Sequence, residues 1–203
     1  MRLTIIGASG HGKVVADIAR LNGYDDIRFL DDNPSVTSCG VYPVVGTTAD
    51  AAAVDGDLFI AVGKATVREK LMDQFADKSF ATLIHPNSVI ADTASIGVGS
   101  VVMAGAVVNP YAMLGLGCIV NTCASVDHDC MVGDYVHVAV GAHICGTVTV
   151  GDGVWIGAGA TVINNVSICS DTTVGAGAVV VRDIALTGTY VGVPAEVIQH
   201  RKA

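Results

Sequence analysis

The stretch VDHDC at positions 126–130 sets His128 between two carboxylates, Asp127 and Asp129, in a segment that is otherwise aliphatic and small. An imidazole with a pKa near 6.5 can take a proton from an attacking nucleophile at neutral pH, and a carboxylate on its other nitrogen fixes its tautomer. A second polar motif, Gly7-Ala8-Ser9-Gly10-His11-Gly12, follows the apolar run LTII. Glycines at a strand–helix junction let the backbone approach a phosphate, which the helix N-terminus favours. Asp31 and Asp32 close a second apolar run, where an acid can accept from a nucleoside. Together these groups fit proton transfer next to nucleotide binding. The plain alternative for VDHDC is an acidic turn facing solvent, and the residues alone leave both open, as they leave open which aspartate would hold the histidine.

Positioning these groups requires a scaffold, and the composition narrows it. Hydrophobic residues make up 51% of the 203, yet aromatics are only 5% and glycine contributes 24 residues. A core of Val, Ile and Ala with this much glycine points to β structure with tight turns. A net charge of −8 without a Lys/Arg cluster argues against a nucleic-acid partner. No secretory leader and no membrane-spanning stretch is read, so a cytoplasmic location without membrane insertion is expected. The six cysteines show no zinc spacing and are expected to be reduced packing residues.

From Ile84 to Leu186 every sixth residue is Ile, Val or Leu. Four places further in each hexad the residue is usually small, as at Ala94, Ala106, Ala112 and Ala124, and Gly often follows the aliphatic residue. A helix would smear a period of six around its surface. A parallel β-helix uses it: one inward aliphatic per short strand, a small residue beside it, and Gly where a turn needs positive φ. Before the repeat, the pattern predicts βαββαβαβ, a small α/β domain with a parallel sheet. One of its helices is placed at KVVADIARLNGY, with Val14, Val15, Ile18, Ala19 and Leu21 on one face, and another at TTADAAAV. The glycine spacing is GxxGxG, and eighty residues cannot hold both halves of a dinucleotide fold, so a redox enzyme is disfavoured.

The hexad beat resembles that of the hexapeptide-repeat acyltransferases. The bacterial nucleotide-sugar N-acetyltransferases among them are similar nearly end to end, through GASGHG, FLDD, AVG, LIHP, NTCASVDHDC, the 137–146 segment and the terminal VGVPA. The resemblance implies a Rossmann-like α/β nucleotide-sugar-binding domain over 1–80, then a left-handed parallel β-helix with a C-terminal cap over 81–203. It also implies acetyl-CoA-dependent acetylation of the 4-amino group of a nucleotide-linked amino-dideoxy sugar, with UDP preferred, as in bacillosamine synthesis. On that basis His128 is the general base and Asp129 orients it. Gly10 and His11 belong to the sugar-nucleotide site, Asp31, Asp32 and Gly63 receive the nucleoside, and Asn121 lies in the acceptor site. His137 lies near the thioester, and the Gly146 amide serves its oxygen. The family's sites lie between the subunits of a homotrimer and use no metal.

Rival readings have identifiable weaknesses. A sialic acid or other sugar O-acetyltransferase would share the architecture and the base. A cysteine nucleophile at Cys123 or Cys130 lacks a cationic neighbour to lower its pKa. A γ-class carbonic anhydrase would bind zinc through His128, His137 and His143, but the spacing differs from its HxxxxH pair and the N-terminal domain has no role. A non-catalytic scaffold leaves GASGHG and the His–Asp pair unexplained. Trp155 falls one coil beyond His137, lining a groove or packing between subunits.

Overall fold

The computed structural model describes residues 1–198. The first element, β1 (Arg2–Ile6), leads through the glycine turn into α1 (Gly10–Leu21), then β2 (Asp26–Leu30), β3 (Ser38–Cys39), β4 (Tyr42–Gly46), β5 (Asp57–Ile60) and α2 (Ala65–Gln74). The sheet order is β3-β4-β2-β1-β5. Pairing is parallel except in the β3–β4 hairpin. Two expectations need correction. The helix placed at TTADAAAV is a 3₁₀ segment, Thr48–Ala53, which buries only Ala51 and is opened by a capping box between Thr47 and Asp50. So short a piece with one buried side chain has too little apolar face to hold an α-helix. The last expected strand is a single parallel bridge between Leu58 and Phe80. In α1 the buried stripe runs through Gly12, Val15, Ala16, Ile18 and Ala19, whereas Val14 and Leu21 are exposed. Those two are seven apart and share a direction at the margin of the stripe.

Beyond residue 82 the chain winds as a three-faced solenoid of two-residue strands. The first face stacks Leu83–Ile84, Val101–Val102, Ile119–Val120, His137–Val138, Trp155–Ile156 and Thr173–Val174 in parallel register. The second runs from Val89–Ile90 through Ser125–Val126 and His143–Ile144 to Val179–Val180, and the third from Ser95–Ile96 through Met113–Leu114 and Met131–Val132 to Ser167–Ile168. One turn of the solenoid is therefore eighteen residues, as in the pairing Ser125↔His143. The aliphatic beat points inward with the small residues beside it: Val108, Ala112, Val120, Ala124, Val126 and Ala142 are all fully buried. Each inner side chain stacks on its equivalent in the next coil, so the core is one continuous column.

The glycine expectation is half right. Positive φ recurs at every sixth residue from Gly99 to Gly177, three places after the inward aliphatic residue. Asp129, Tyr135 and Thr147 hold that position without being glycine, at φ 58°, 58° and 61°. The glycines that directly follow the aliphatic residue do not have positive φ and are present because coils stack closely. A Cβ on Gly97 would lie 2.3 Å from the Gly115 carbonyl oxygen, and one on Gly115 2.2 Å from Asp134 Oδ1. The beat itself also slips at its end. Ile168 bridges Ile184, a spacing of sixteen, and Leu186 is 75% exposed rather than inward. The last coil is two residues short, and the terminal hairpin, Thr189–Val191 with Glu196–Val197, follows on the first face. Ala195 and Tyr190 pack on the end of the column, consistent with a cap. The end of the expected cap, 199–203, lies outside the described residues.

The N-terminal domain sits on the first face. Leu83, Val101 and Ile119 point outward from the solenoid yet are buried with Phe29, Val15 and Ile18 in a shared cluster. The cover stops partway along. His137, one coil further, is 8% exposed, and Trp155, the next, is 41% exposed. The uncovered part of the face, below the start of α2, is where a groove can form.

Candidate active site

His128 lies in the turn between the second and third faces, so it is on the edge opposite the first face. Its Nδ1 is 2.8 Å from Asp129 Oδ2. The left-handed backbone of Asp129 turns its carboxylate back onto the ring, a conformation that Asp tolerates better than most residues. Asp127 is occupied elsewhere: its Oδ1 accepts from Asn109 Nδ2 at 2.7 Å and from the His128 amide at 2.8 Å. The choice left open by the pentapeptide therefore falls to Asp129. The hydrogen bond that the ring donates to Asp129 is the main reason the His128 pKa is raised above 6.5. The side chain is 57% exposed, so the ring is available to a ligand.

Gly146 is the equivalent of His128 one coil further on. A Cβ there would lie 2.5 Å from His128 Nε2 and 2.6 Å from Cε1, so the imidazole rests directly over the bare glycine. Amides at this turn position do not join the backbone ladder. On the neighbouring edge they are satisfied by side chains, Leu116 by Asp134 Oδ1 and Asp134 by Asp152 Oδ1. Among the described residues nothing accepts from the Gly146 amide, although its carbonyl accepts from Asn165 at 3.2 Å. An open N–H beside the free nitrogen of a histidine–aspartate pair can take the charge of an oxyanion while the ring takes a proton.

The other expected residues gather on the first face and the domain above it. Asn121 Nδ2 is 3.2 Å from His137 Nε2, and His137 stacks on Trp155 with ring centroids 4.9 Å apart. With Nε2 accepting from Asn121, the proton of the neutral ring is on Nδ1, which is buried without a partner. His11, at the start of α1, also has a buried unpartnered nitrogen, Nε2. Gly10 beside it is exposed, with open space where a Cβ would stand. A cavity of about 500 Å³ is lined by Gly63, Lys64, Ala65 and Thr66 from one domain, and by Tyr135, His137, Trp155 and Thr173 from the other. A second, of about 480 Å³, lies wholly in the N-terminal domain at the C-terminal ends of β1 and β2, lined by Gly7, Asp31, Asp32, Thr48, Val62 and Lys70. That end of a parallel sheet is where nucleotides bind in open α/β folds. Asp31 Oδ2 accepts from the Ala8 amide at 2.7 Å and so braces the glycine turn, while Asp32 holds Thr48 through its amide and hydroxyl. Gly63 lines the shared cavity, whereas its neighbour Val62 lines the one at Asp31 and Asp32.

One chain thus spreads the expected set over three places. His128, Asp129 and Gly146 share an edge, His11, Gly63, Asn121 and His137 lie at the domain junction on the opposite side, and Asp31 and Asp32 line the cavity within the N-terminal domain. The three histidines of the zinc reading lie on an edge and two different faces, and among the described residues no three metal-binding side chains converge. Of the cysteines, Cys39, Cys118 and Cys130 are buried, Cys123 is exposed, and all six are free. The Cys130 thiol is held at the Cys145 carbonyl, 3.1 Å away, and burial raises its pKa. No helix among the described residues is long and apolar enough to cross a membrane. Arg68, Tyr135 and Lys70 were not singled out in the sequence: Arg68 stands in the charged run REK, the ordinary signature of a solvated helix face.

The junction histidines carry a consequence for stability. Burial, with a smaller contribution from the Arg68 charge, pulls the His11 pKa down to about 4 and that of His137 down to about 3. Both pKa values are depressed on folding, so the unfolded chain binds more protons below pH 6.5, and the contribution present above that pH is lost as pH falls. Between pH 6.5 and 5, before carboxylates titrate, stability should fall by up to about 1.4 kcal/mol per pH unit for each of the two. The raised pKa of His128 acts in the opposite sense, but on an exposed, screened group. Urea midpoints across this window check the expectation. The slope should flatten in the double variant His11→Gln/His137→Gln, and a slope unchanged by it would assign the loss to other groups.

Comparison with known proteins agrees with this architecture. The PglD N-terminal domain family matches residues 2–75, and the bacterial transferase hexapeptide family, six repeats, matches 147–182. A curated relative, UDP-N-acetylbacillosamine N-acetyltransferase of Bacillus subtilis (strain 168), is 37% identical over 112 residues, 50% of this chain. The matched stretch spans about half of that relative's length, 51%. The acetyltransferase domain of PglB from Neisseria gonorrhoeae FA1090, solved with acetyl coenzyme A, is 42% identical with a TM-score of 0.93, covering 97% of this chain and 98% of that one. PerB from Caulobacter crescentus, solved with CoA and GDP-perosamine, is 36% identical with a TM-score of 0.91, covering 98% of each chain. The solenoid is the left-handed β-helix of such hexapeptide structures. With near-complete coverage at these identities, the chain belongs to the family of hexapeptide-repeat acetyltransferases that carry a PglD-type N-terminal domain.

Proposed function

We propose that this protein transfers the acetyl group of acetyl-CoA to the 4-amino group of a nucleotide-linked amino-dideoxy sugar, with UDP as the preferred nucleotide and His128 as general base. One observation carries the reading: His128 Nδ1 is held by Asp129 at 2.8 Å while its Nε2 stands over Gly146, whose amide is open. In the reaction the neutral amine attacks the thioester carbonyl and His128 Nε2 takes the amine proton as the C–N bond forms. The Gly146 amide donates to the oxyanion, the C–S bond breaks, and the imidazolium returns a proton to the departing CoA thiolate. Asp129 stabilises the imidazolium through Nδ1. No acetylated cysteine is required, in keeping with the burial of Cys130.

The nucleoside occupies the cavity at Asp31 and Asp32, and the chain's two half-sites meet between copies. His128 lies on the edge away from the first face, so the amine presented near His11 and His137 of one subunit reaches the base of a neighbour. That arrangement supports a homotrimer, with an active site completed at each interface. The relatives named above bind or are named for acetyl-CoA, GDP-perosamine and a UDP-linked substrate, which supports the substrate class. The test is release of free CoA from acetyl-CoA with UDP- and GDP-linked 4-amino sugars and a sialic acid as acceptors. Turnover is expected with a UDP-linked amino sugar. Turnover with the GDP sugar alone would change the nucleotide, and turnover with sialic acid alone would move the acceptor from nitrogen to oxygen.

A further inference from the structure

Arg68 is the largest fully buried side chain, at 1% exposure, and among the described residues it forms no ion pair. Its guanidinium spends its donors on four backbone carbonyls. Nη1 donates to Val62 at 3.0 Å and Gly63 at 2.7 Å, Nε to Gly117 at 2.9 Å, and Nη2 to Tyr135. The first two belong to the loop before α2. The last two are turn residues of the solenoid one coil apart, both with positive φ. Burying an unpaired charge is costly, and a flat fork of donors is the feature that no other side chain supplies. The loop it grips lines both cavities, Val62 the one inside the N-terminal domain and Gly63 the one shared with the solenoid. Tyr135, gripped from the other side, lines the shared cavity together with His137.

We infer that Arg68 is a positioning residue that sets the shared cavity by locking the 62–63 loop to two coils of the solenoid. The nucleoside cavity, although Val62 lines it, has all its walls in one domain, so assembling them does not need the grip on the solenoid. The shared cavity has walls in both domains and does need it. The kinetic part of this inference rests on the function proposed above. Arg68→Lys keeps the charge but replaces the fork by a point donor, and Arg68→Gln, with two donors and no charge, serves if the lysine variant does not fold. Two readouts decide. Hydrogen exchange at the bonded amides of Val67, Gly117, Cys118 and Tyr135, which flank the gripped carbonyls, should accelerate by about tenfold or more, with the exchange of β1 and β5 unchanged. Binding of free UDP, or of GDP if that is the nucleotide bound by the wild type, should stay within about twofold, while kcat/KM for the nucleotide sugar falls by about tenfold or more, because displaced walls misalign the reacting groups. Wild-type exchange at these four amides would overturn the inference, and so would a loss of free-nucleotide binding in step with kcat/KM. If the wild type turns over no nucleotide sugar, the proposed reaction fails, and the exchange comparison still decides the role of Arg68.

Discussion

Replacing His128 by alanine lowers kcat by about 10²–10⁴-fold, the range that positioned acid–base groups supply. The fold should survive, because the side chain is more than half exposed and belongs to neither the inner column nor the domain interface. Circular dichroism and the oligomeric state report that control, and CoA release reports the loss. Unchanged turnover in a well-folded variant would remove His128 from the mechanism. The pH profile adds a signature that truncation alone does not give. A base must be neutral, so kcat/KM rises with pH through the pKa of the free enzyme, and the Asp129 hydrogen bond puts that limb above 6.5. Asp129→Asn removes the carboxylate that stabilises the protonated ring, so the limb moves to lower pH while the plateau falls. A limb that stays in place would mean that Asp129 does not hold the base in solution.

Gly146→Ala is the second large effect, about 10²-fold in kcat, for a reason independent of any chemistry at the side chain. The new Cβ would lie within 2.6 Å of two ring atoms of His128, nearer than real contacts allow, so the imidazole must swing away or the coil must open. A base displaced by about an ångström loses on that order of rate. The open amide beside it is disturbed by the same change, and the two losses are not separable by this variant alone. The expected pattern is a drop in kcat with free-nucleotide binding intact, since the nucleoside cavity lies in the other domain. A variant with wild-type kcat would show that the ring need not rest where it does. The effect is local: Gly141 also lies on the solenoid and has open space where a Cβ would stand.

How much of this was legible in the residues depends on whether the signal is local. The six-residue beat specified the solenoid and its inner column, because a period set by stacked coils leaves the same residue type at every equivalent position, while the three faces are seen in the eighteen-residue pairing. VDHDC announced a candidate base for the same reason: polar residues are conspicuous where the repeat demands aliphatic and small ones. The resemblance through GASGHG and NTCASVDHDC reached the family. The failures were also physical. Glycines after the aliphatic residue were assigned to positive φ, yet they are there because the next coil presses on them, which only the stacked structure displays. Leu186 kept the beat in sequence after the coil had lost two residues, since periodicity in a string does not sense a shortened turn.

The sequence by itself determined the scaffold and marked His128 as a candidate base and GASGHG as a candidate nucleotide-binding turn, all written in residues near one another in the chain. Only the tertiary structure decided that Asp129 rather than Asp127 holds His128, since a left-handed residue and the grip of Asn109, eighteen positions away, settle it. Only the structure set His128 on one edge and His11 and His137 on the far side, an arrangement that the proposed reaction requires a second copy to complete. And only the structure showed Arg68 buried. Its role lies in carbonyls that every residue carries, so no pattern of side-chain types could have marked it.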